Sequence, residues 1–338
     1  MLQSNSLSSF DSCAMIQKFN INSLRYKKGK VFMEKVIVIA GPTASGKTAL
    51  AVELAKKING EVISCDSMQI YKDMSIGTAK PTAEEMDGVP HYLIDFVSPD
   101  ERYSVADFKK NAEEKIEYVL SRGKVPILCG GTGLYIDTLV LGIDYPEIEL
   151  DQGYRDGLMK KAESEEGLKE LYDEAESIDP EAMEKISKND KKRIIRVIEL
   201  YKTTGKTKTE LEKISRSNGV KYDYRVFAID MDREKLYDRI NRRVDIMIEQ
   251  GLIDEVRNII DKYDKFPTAM QGLGYKEVVE YFDGKLTKQE MIDKIKQETR
   301  RYAKRQLTWF RKNKNIVWID GLDDRNKNID LIISNVNM

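Results

Sequence analysis

A single histidine, three cysteines and eight prolines among 338 residues set the first limits on this chain. With only His91 available, no zinc site of ordinary Cys/His spacing can be assembled, and any Ser/His/Asp triad would have to run through that one ring. Cys13, Cys65 and Cys129 are odd in number and far apart, unlike a disulfide framework, and fit a reducing cytoplasm. No apolar run approaches the ~20 residues that span a bilayer, so no membrane role is expected. An excess of one charge is missing too. The 56 basic and 57 acidic residues leave a net −1, so nucleic acid would have to be held by a local basic surface. What is present, 41% hydrophobic and 33% charged residues with a mean hydropathy of −0.51, is the composition of a soluble globular protein with room for about two domains.

Residues 1–32 are rich in Ser and Asn, carry Asp11 against Lys18, Arg25, Lys27, Lys28 and Lys30, and have no clear apolar period; a disordered extension is expected. Met33 directly precedes Glu34, Lys35 and an apolar strand, which makes it a candidate start. An organelle transit peptide is the rival, opposed by the presence of only one Arg, and the apolar stretch of a secretory signal is missing. From Met33 onward short apolar strands (36–40, 61–65, 92–96, 125–129) alternate with helical stretches (48–58, 105–121, 134–141), the pattern of a parallel sheet covered by helices. The alternation then breaks. Residues 147–186 hold 14 acids and 5 bases with helical patterning, and helix continues through Arg193 to Lys202. Strands return at 225–230 and 316–319. The expected organisation is an α/β core at 33–145 and 222–320 ending in a basic helix, an all-helical insertion at 146–221, and a tail at 321–338.

Gly41, Pro42, Thr43, Ala44, Ser45, Gly46, Lys47 and Thr48 fit the pattern G-x-x-x-x-G-K-[ST] between a strand and a helix. Such a loop turns backbone N–H groups and a helix N-terminus toward an anion, Lys47 adds a point charge, and the Thr48 hydroxyl can ligate Mg²⁺. A phosphate or diphosphate is expected here. A nucleotide hydrolase usually adds an acid at the end of a neighbouring strand; the strand at 125–129 ends instead in Gly130-Gly131-Thr132-Gly133, a second small-residue turn. The strand at 61–65 delivers Asp66, Ser67, Met68 and Gln69 to the same sheet edge, where open α/β folds bind ligands. Asp66 is a candidate general base or magnesium ligand, with a plain capping role as the alternative, and Gln69 carries an amide suited to reading a base edge.

Two basic clusters stand out. Lys188, Lys191, Lys192, Arg193 and Arg196 surround one acid, Asp190, and the acid-free stretch 300–314 interleaves Lys304, Arg305 and five other cations with Tyr302, Trp309 and Phe310. Each alone reads as a solvated helix face; together on a neutral chain they suggest a polyanion track. Arg239 and Arg243 share one face of a helix at 234–250 that could reach the phosphate loop. His91, at a strand start, reads as structural.

The segments 41–48, 66–71 (Asp-Ser-Met-Gln-Ile-Tyr), 76–81 (Ile-Gly-Thr-Ala-Lys-Pro), 130–135 (Gly-Gly-Thr-Gly-Leu-Tyr) and 303–310 (Ala-Lys-Arg-Gln-Leu-Thr-Trp-Phe) closely resemble the tRNA dimethylallyltransferases over about residues 34–320. The resemblance implies a P-loop NTPase-like α/β core whose loop holds the diphosphate of dimethylallyl diphosphate, with Mg²⁺ as cofactor and the tRNA anticodon stem-loop as partner. It implies transfer of the dimethylallyl group to N6 of adenosine 37, with Asp66 as general base, Arg243 as a second diphosphate cation and Thr132 as a tRNA contact near the reacting site. Asp66 to Gln69 would then read the flipped base, while Lys192, Arg193, Ile194, Ile195 and Arg196, in an arm formed by the insertion, and Lys304 and Arg305 would bind tRNA. Relatives usually show Gln-Arg-x-x-Arg at the first of these segments; Lys192 stands where they have Gln, which puts any base contact by that amide in doubt. Without spare Cys or His for a zinc finger, the bacterial type is implied, acting as a monomer. Two other readings compete: a small-molecule kinase whose loop binds ATP, and a non-catalytic RNA-binding module.

Overall fold

In the computed structural model of the chain, residues 24–27, 30–145, 151–216 and 219–336 are described. They fall into two compact units, one within Leu141–Val220 and the other within Asn20–Val140 and Lys221–Met338. The latter unit opens with an antiparallel hairpin of β1 (Leu24–Lys27) and β2 (Lys30–Met33), Leu24 pairing with Met33 and Lys27 with Lys30. This corrects the expectation of disorder for that stretch: a short backbone ladder needs no apolar period that composition would reveal. The rest of 1–32 lies outside the described residues.

The core of this unit is a six-stranded parallel sheet in the order β5-β4-β6-β3-β7-β8, formed by β3 (Lys35–Ala40), β4 (Gly60–Ser64), β5 (His91–Tyr92), β6 (Val125–Gly130), β7 (Asp223–Asp230) and β8 (Val317–Asp320). Its strands are buried on both faces, which is why they read as continuous apolar runs. Val36, Val38 and Ala40 enter one layer, Ile37 and Ile39 the other, as the two-residue strand period requires. The helices α1 (Lys47–Ile58), α2 (Ala83–Met86), α3 (Val105–Ser121) and α4 (Gly133–Val140) follow the first strands. Leu50, Ala51 and Leu54 of α1 cover one face; Phe108, Ala112 and Ile116 of α3 and Tyr135, Ile136 and Leu139 of α4 cover the other.

Of the strand expected at 92–96 only Tyr92 pairs, because Leu93 and Asp95 turn left-handed (φ 60° and 59°) and lead the chain across to Ile70.

Among the described residues of Leu141–Val220 lie five helices, α5 (Gln152–Lys161), α6 (Glu165–Ile178), α7 (Pro180–Met183), α8 (Lys191–Thr204) and α9 (Lys208–Ser215), around their own core of Leu171, Ala175, Met183, Ile194, Ile195 and Ile198. The buried Asp179 carboxylate ties this unit together, accepting from the N–H groups of Ala182 (3.0 Å) and Thr209 (2.8 Å) and from the Thr209 hydroxyl (2.7 Å).

After β7 the sheet-bearing unit continues with α10 (Arg233–Glu249), α11 (Leu252–Lys262), α12 (Tyr275–Phe282) and α13 (Lys288–Phe310). Val244, Val256, Tyr275, Met291 and Ile295 from these helices enclose Ile70, Tyr71 and Met74 in a third core. The segment expected to be a tail forms α14 (Arg325–Val336) instead. Its Ile329, Ile332 and Val336 are buried against the α1 side of the sheet, an i, i+3, i+7 stripe too short to stand out in sequence. The Lys35 Nζ donates to the Val336 carbonyl, joining the first core strand to the last helix.

Candidate active site

The phosphate-loop motif forms the connection from β3 to α1. Gly41 (φ 147°) passes against Ile229, where an added Cβ would lie 3.2 Å from that side chain, and Gly46 (φ 91°) caps α1 with no side chain to take up its first N–H groups. Those amides and the helix dipole are left facing any anion in the loop. Ser45 Oγ and Lys47 Nζ both donate to the Pro42 carbonyl, at 2.8 and 2.6 Å, so the loop closes on itself and the lysine folds back over it. Burial pulls Lys47 down to about 8, with Cys129 and Asp66 opposing and the Arg243 guanidinium pushing the same way. Two cations crowded in a desolvated pocket raise one another's free energy, and a polyvalent anion relieves both.

At the end of β4, Asp66 Oδ1 accepts from the N–H groups of Met68 (2.9 Å) and Gln69 (3.2 Å), so one oxygen does shape the turn. Oδ2 has no hydrogen-bond partner among the described residues. Thr132 does not line the cavity: its Oγ1 accepts from Ser67 N–H (3.0 Å) and donates to Ser67 Oγ (3.3 Å), and its N–H donates to the Cys65 carbonyl (3.2 Å). The threonine thus holds the Asp66 turn against the glycine turn of β6. Gln69 Nε2 donates to the carbonyls of Thr78 (3.3 Å) and Ala79 (3.1 Å). Its Nε2 thus holds a neighbouring loop, while Gln69 itself lines the cavity.

The two turns meet through Gln306 of α13, which sequence reasoning passed over. Its Oε1 accepts from Thr43 N–H and its Nε2 donates to the Gly131 carbonyl, both at 2.9 Å, in a site only 5% exposed. Gly131 has to be glycine there, since a Cβ would fall 2.2 Å from Gln306 Nε2. In sequence it appears only as part of the 303–310 segment, with nothing in that segment to show what its amide holds. The resulting cavity, about 370 Å³, gathers Thr43, Lys47, Thr48, Asp66 and Arg243 beside apolar Ile240, Val244 and Met247, with Tyr302 and Arg305 of α13 across from them. Burial pushes the Tyr302 hydroxyl up to about 12, with Asp66 adding to the shift, and pushes the Cys129 thiol up to about 11 against the pull of Lys47.

Other expected residues lie elsewhere. Lys304 lines a separate groove with Asp230 and Asp320, and Arg239 sits on the outer side of the loop, its Nη1 4.0 Å from where a Gly46 Cβ would be. Ile194 and Ile195 are fully buried in the core of the helical unit, so they correct the expectation of an RNA contact by their side chains. The flanking Lys192 and Arg193 are exposed, while half-buried Arg196 leans toward Glu199 at 3.8 Å. His91 is structural in its contacts: Nδ1 meets the Val89 carbonyl at 2.8 Å.

For Mg²⁺, which commonly takes one or two protein oxygens and completes its shell with phosphate oxygens and water, Thr48 and Asp66 on one cavity wall are a suitable donor set. Among the described residues no group of three His, Cys, Asp or Glu could hold a metal unaided.

The fold and this site together define a P-loop α/β protein in which an anion cradle opens into a partly apolar chamber, with no acid at the end of β6 for triphosphate hydrolysis. Comparison with known proteins makes the class specific. The family model described as IPP transferase matches residues 69–313. The tRNA dimethylallyltransferase of Acetivibrio thermocellus is 52% identical over 289 residues, covering 85% of this chain and 92% of its own length, and that of Bacillus cereus strain AH187 is 46% identical over 296 residues, covering 87% and 92%. The crystal structure of the full-length tRNA isopentenylpyrophosphate transferase from Bacillus halodurans superposes with a TM-score of 0.67 at 45% identity, over 90% of this chain and 96% of that one. A eukaryotic dimethylallyltransferase captured acting on tRNA gives 0.72 at 32% identity, over 89% and 79%. The chain belongs to the IPP transferase family.

Proposed function

We propose that this protein transfers a dimethylallyl group from dimethylallyl diphosphate to N6 of adenosine 37 in tRNA, releasing diphosphate. The observation that carries the reading is the single chamber in which Lys47, Arg243 and the α1 N-terminus stand beside Asp66 and an apolar wall of Ile240, Val244 and Met247. A triphosphate kinase needs no such wall, and a passive RNA binder needs no carboxylate beside a phosphate cradle.

The diphosphate lies in the loop at 41–48, and the five-carbon group extends along the apolar wall. A target adenine removed from its stack enters from the side of the Asp66 turn. As the N6–C1 bond forms and the C1–O bond breaks, the bonding pair leaves with the diphosphate, and the N6 proton passes to Asp66 Oδ2. The amides of the loop, Lys47 and Arg243 stabilise charge growing on the leaving group. Thr48 would hold Mg²⁺, which would supply further counter-charge to the leaving group. Exposed Lys192 and Arg193 of α8 support the helical insertion as the arm that grips the anticodon stem-loop. The free, buried thiols of Cys65 and Cys129 suit a cytoplasmic setting.

The deciding experiment incubates the protein with Mg²⁺, dimethylallyl diphosphate and unmodified tRNA, with ATP in a parallel tube, followed by mass analysis of the nucleosides. One adenosine gaining a five-carbon unit is expected. Triphosphate hydrolysis without any such gain would overturn the assignment.

A further inference from the structure

We propose that Glu255 of α11 is a positioning residue for the transfer reaction, holding the loop at 75–79 so that it fixes the Asp66 turn; the inference rests on the prenyl-transfer reading above. Glu255 Oε2 accepts from the N–H groups of Ser75 (2.9 Å) and Ile76 (2.7 Å), and Oε1 accepts from Gly77 N–H (3.0 Å) and the Tyr275 hydroxyl (2.6 Å). One carboxylate thus collects three consecutive backbone amides and a phenol, an arrangement of charge-assisted bonds that defines the path of the loop. Gly77 also packs against the Tyr275 ring, where a Cβ would lie 2.5 Å from Cε2, so the loop has no slack on that side.

The loop held in this way is part of the reacting chamber. Gly77, Thr78 and Ala79 line it, whereas Glu255 does not. The Thr78 and Ala79 carbonyls receive Gln69 Nε2, and the Gln69 N–H in turn donates to Asp66 Oδ1. Glu255 is therefore linked to the proton-accepting carboxylate by hydrogen bonds joined through the short backbone of the loop and through Gln69. A residue that touches no reactant but fixes those that do acts on the geometry of the transition state, where small misplacements are costly.

The test is Glu255→Gln, which puts an amide NH₂ where two of the four donors need an acceptor. With wild-type turnover established first, kcat for five-carbon transfer is expected to fall about tenfold or more, while the Kd for inorganic diphosphate stays within about twofold because the loop at 41–48 is untouched. Tyr275→Phe removes one bond without adding a donor and should lower kcat about two- to threefold; it carries the test if the first variant does not fold. The same substitution made in an Asp66→Asn background separates positioning from plain stability. If Glu255 works through Asp66, the second change costs less than about twofold there; an equal loss in both backgrounds overturns the inference, as does an unchanged kcat in a folded variant. Absence of transfer by the wild type would instead remove the reading on which it rests.

Discussion

Asp66 divides its carboxylate between two tasks. Oδ1 is occupied by the N–H groups of Met68 and Gln69, so the turn survives as long as one side-chain oxygen remains there. Asparagine keeps that oxygen and loses the base. Asp66→Asn is therefore expected to lower kcat at least about 100-fold, the usual scale for a general base, with the tRNA Kd within about twofold in a filter-binding assay. His91 offers a separate prediction at the same scale. Burial lowers its pKa, its Nδ1 is tied to Val89, and its Nε2 is buried with no partner, so the neutral ring is the folded form. The unfolded chain binds the proton more readily, so stability is full above about pH 6.5, the unperturbed value, and declines as the pH drops below it. Urea unfolding between pH 7.5 and 5 should show a steeper loss for the wild type than for His91→Gln; equal slopes would count against a buried neutral imidazole.

At the scale of elements, α13 is the part that assembles the site. Gln306 joins the phosphate loop to the glycine turn of β6, and Trp309, three residues on, packs over Gly133 and donates to Asp137 Oδ2 at 2.8 Å. Gln306→Leu leaves the buried Gly131 carbonyl unpaired, at about 1–3 kcal/mol, and frees the part-buried Thr43 N–H of the phosphate loop. A lower melting temperature and a roughly tenfold higher KM for dimethylallyl diphosphate, about 1.4 kcal/mol, are expected by calorimetry and steady-state kinetics. The strand, loop and helix at 35–58 were legible because their signals are local: an apolar run, a glycine pattern and a helical period within 24 residues. The Gln306 bridge was not, because its partner Thr43 is 263 positions away and the segment at 303–310 does not show which residue it meets. The Gln69 contacts were hidden for the same reason, since the carbonyls that receive its Nε2 belong to a loop whose path depends on a distant glutamate. The α14 helix escaped notice because a stripe of three buried apolar positions in twelve residues acquires meaning only against a sheet.

For the whole molecule, net charge near zero means that RNA has to be held by where the cations sit. Lys192 and Arg193 are exposed on the helical unit, and Arg305 reaches the chamber of the other. If about four phosphates are contacted, tRNA affinity should weaken about 100-fold between 50 and 200 mM salt; a flat titration would argue that the basic positions do not meet the backbone. The alternating strand and helix pattern made the parallel sheet readable from sequence, yet strand order was not, since it is decided by which faces fit together in space. The contact between Lys35 and Val336 has a practical corollary. It brings the beginning of the sheet beside the last turn of the closing helix, so a brief linker could fuse these points and new termini could be opened at the exposed turn of Gly284 and Lys285. Such a circularly permuted chain should keep its architecture, which makes this enzyme a convenient frame for inserting reporter domains away from its catalytic edge.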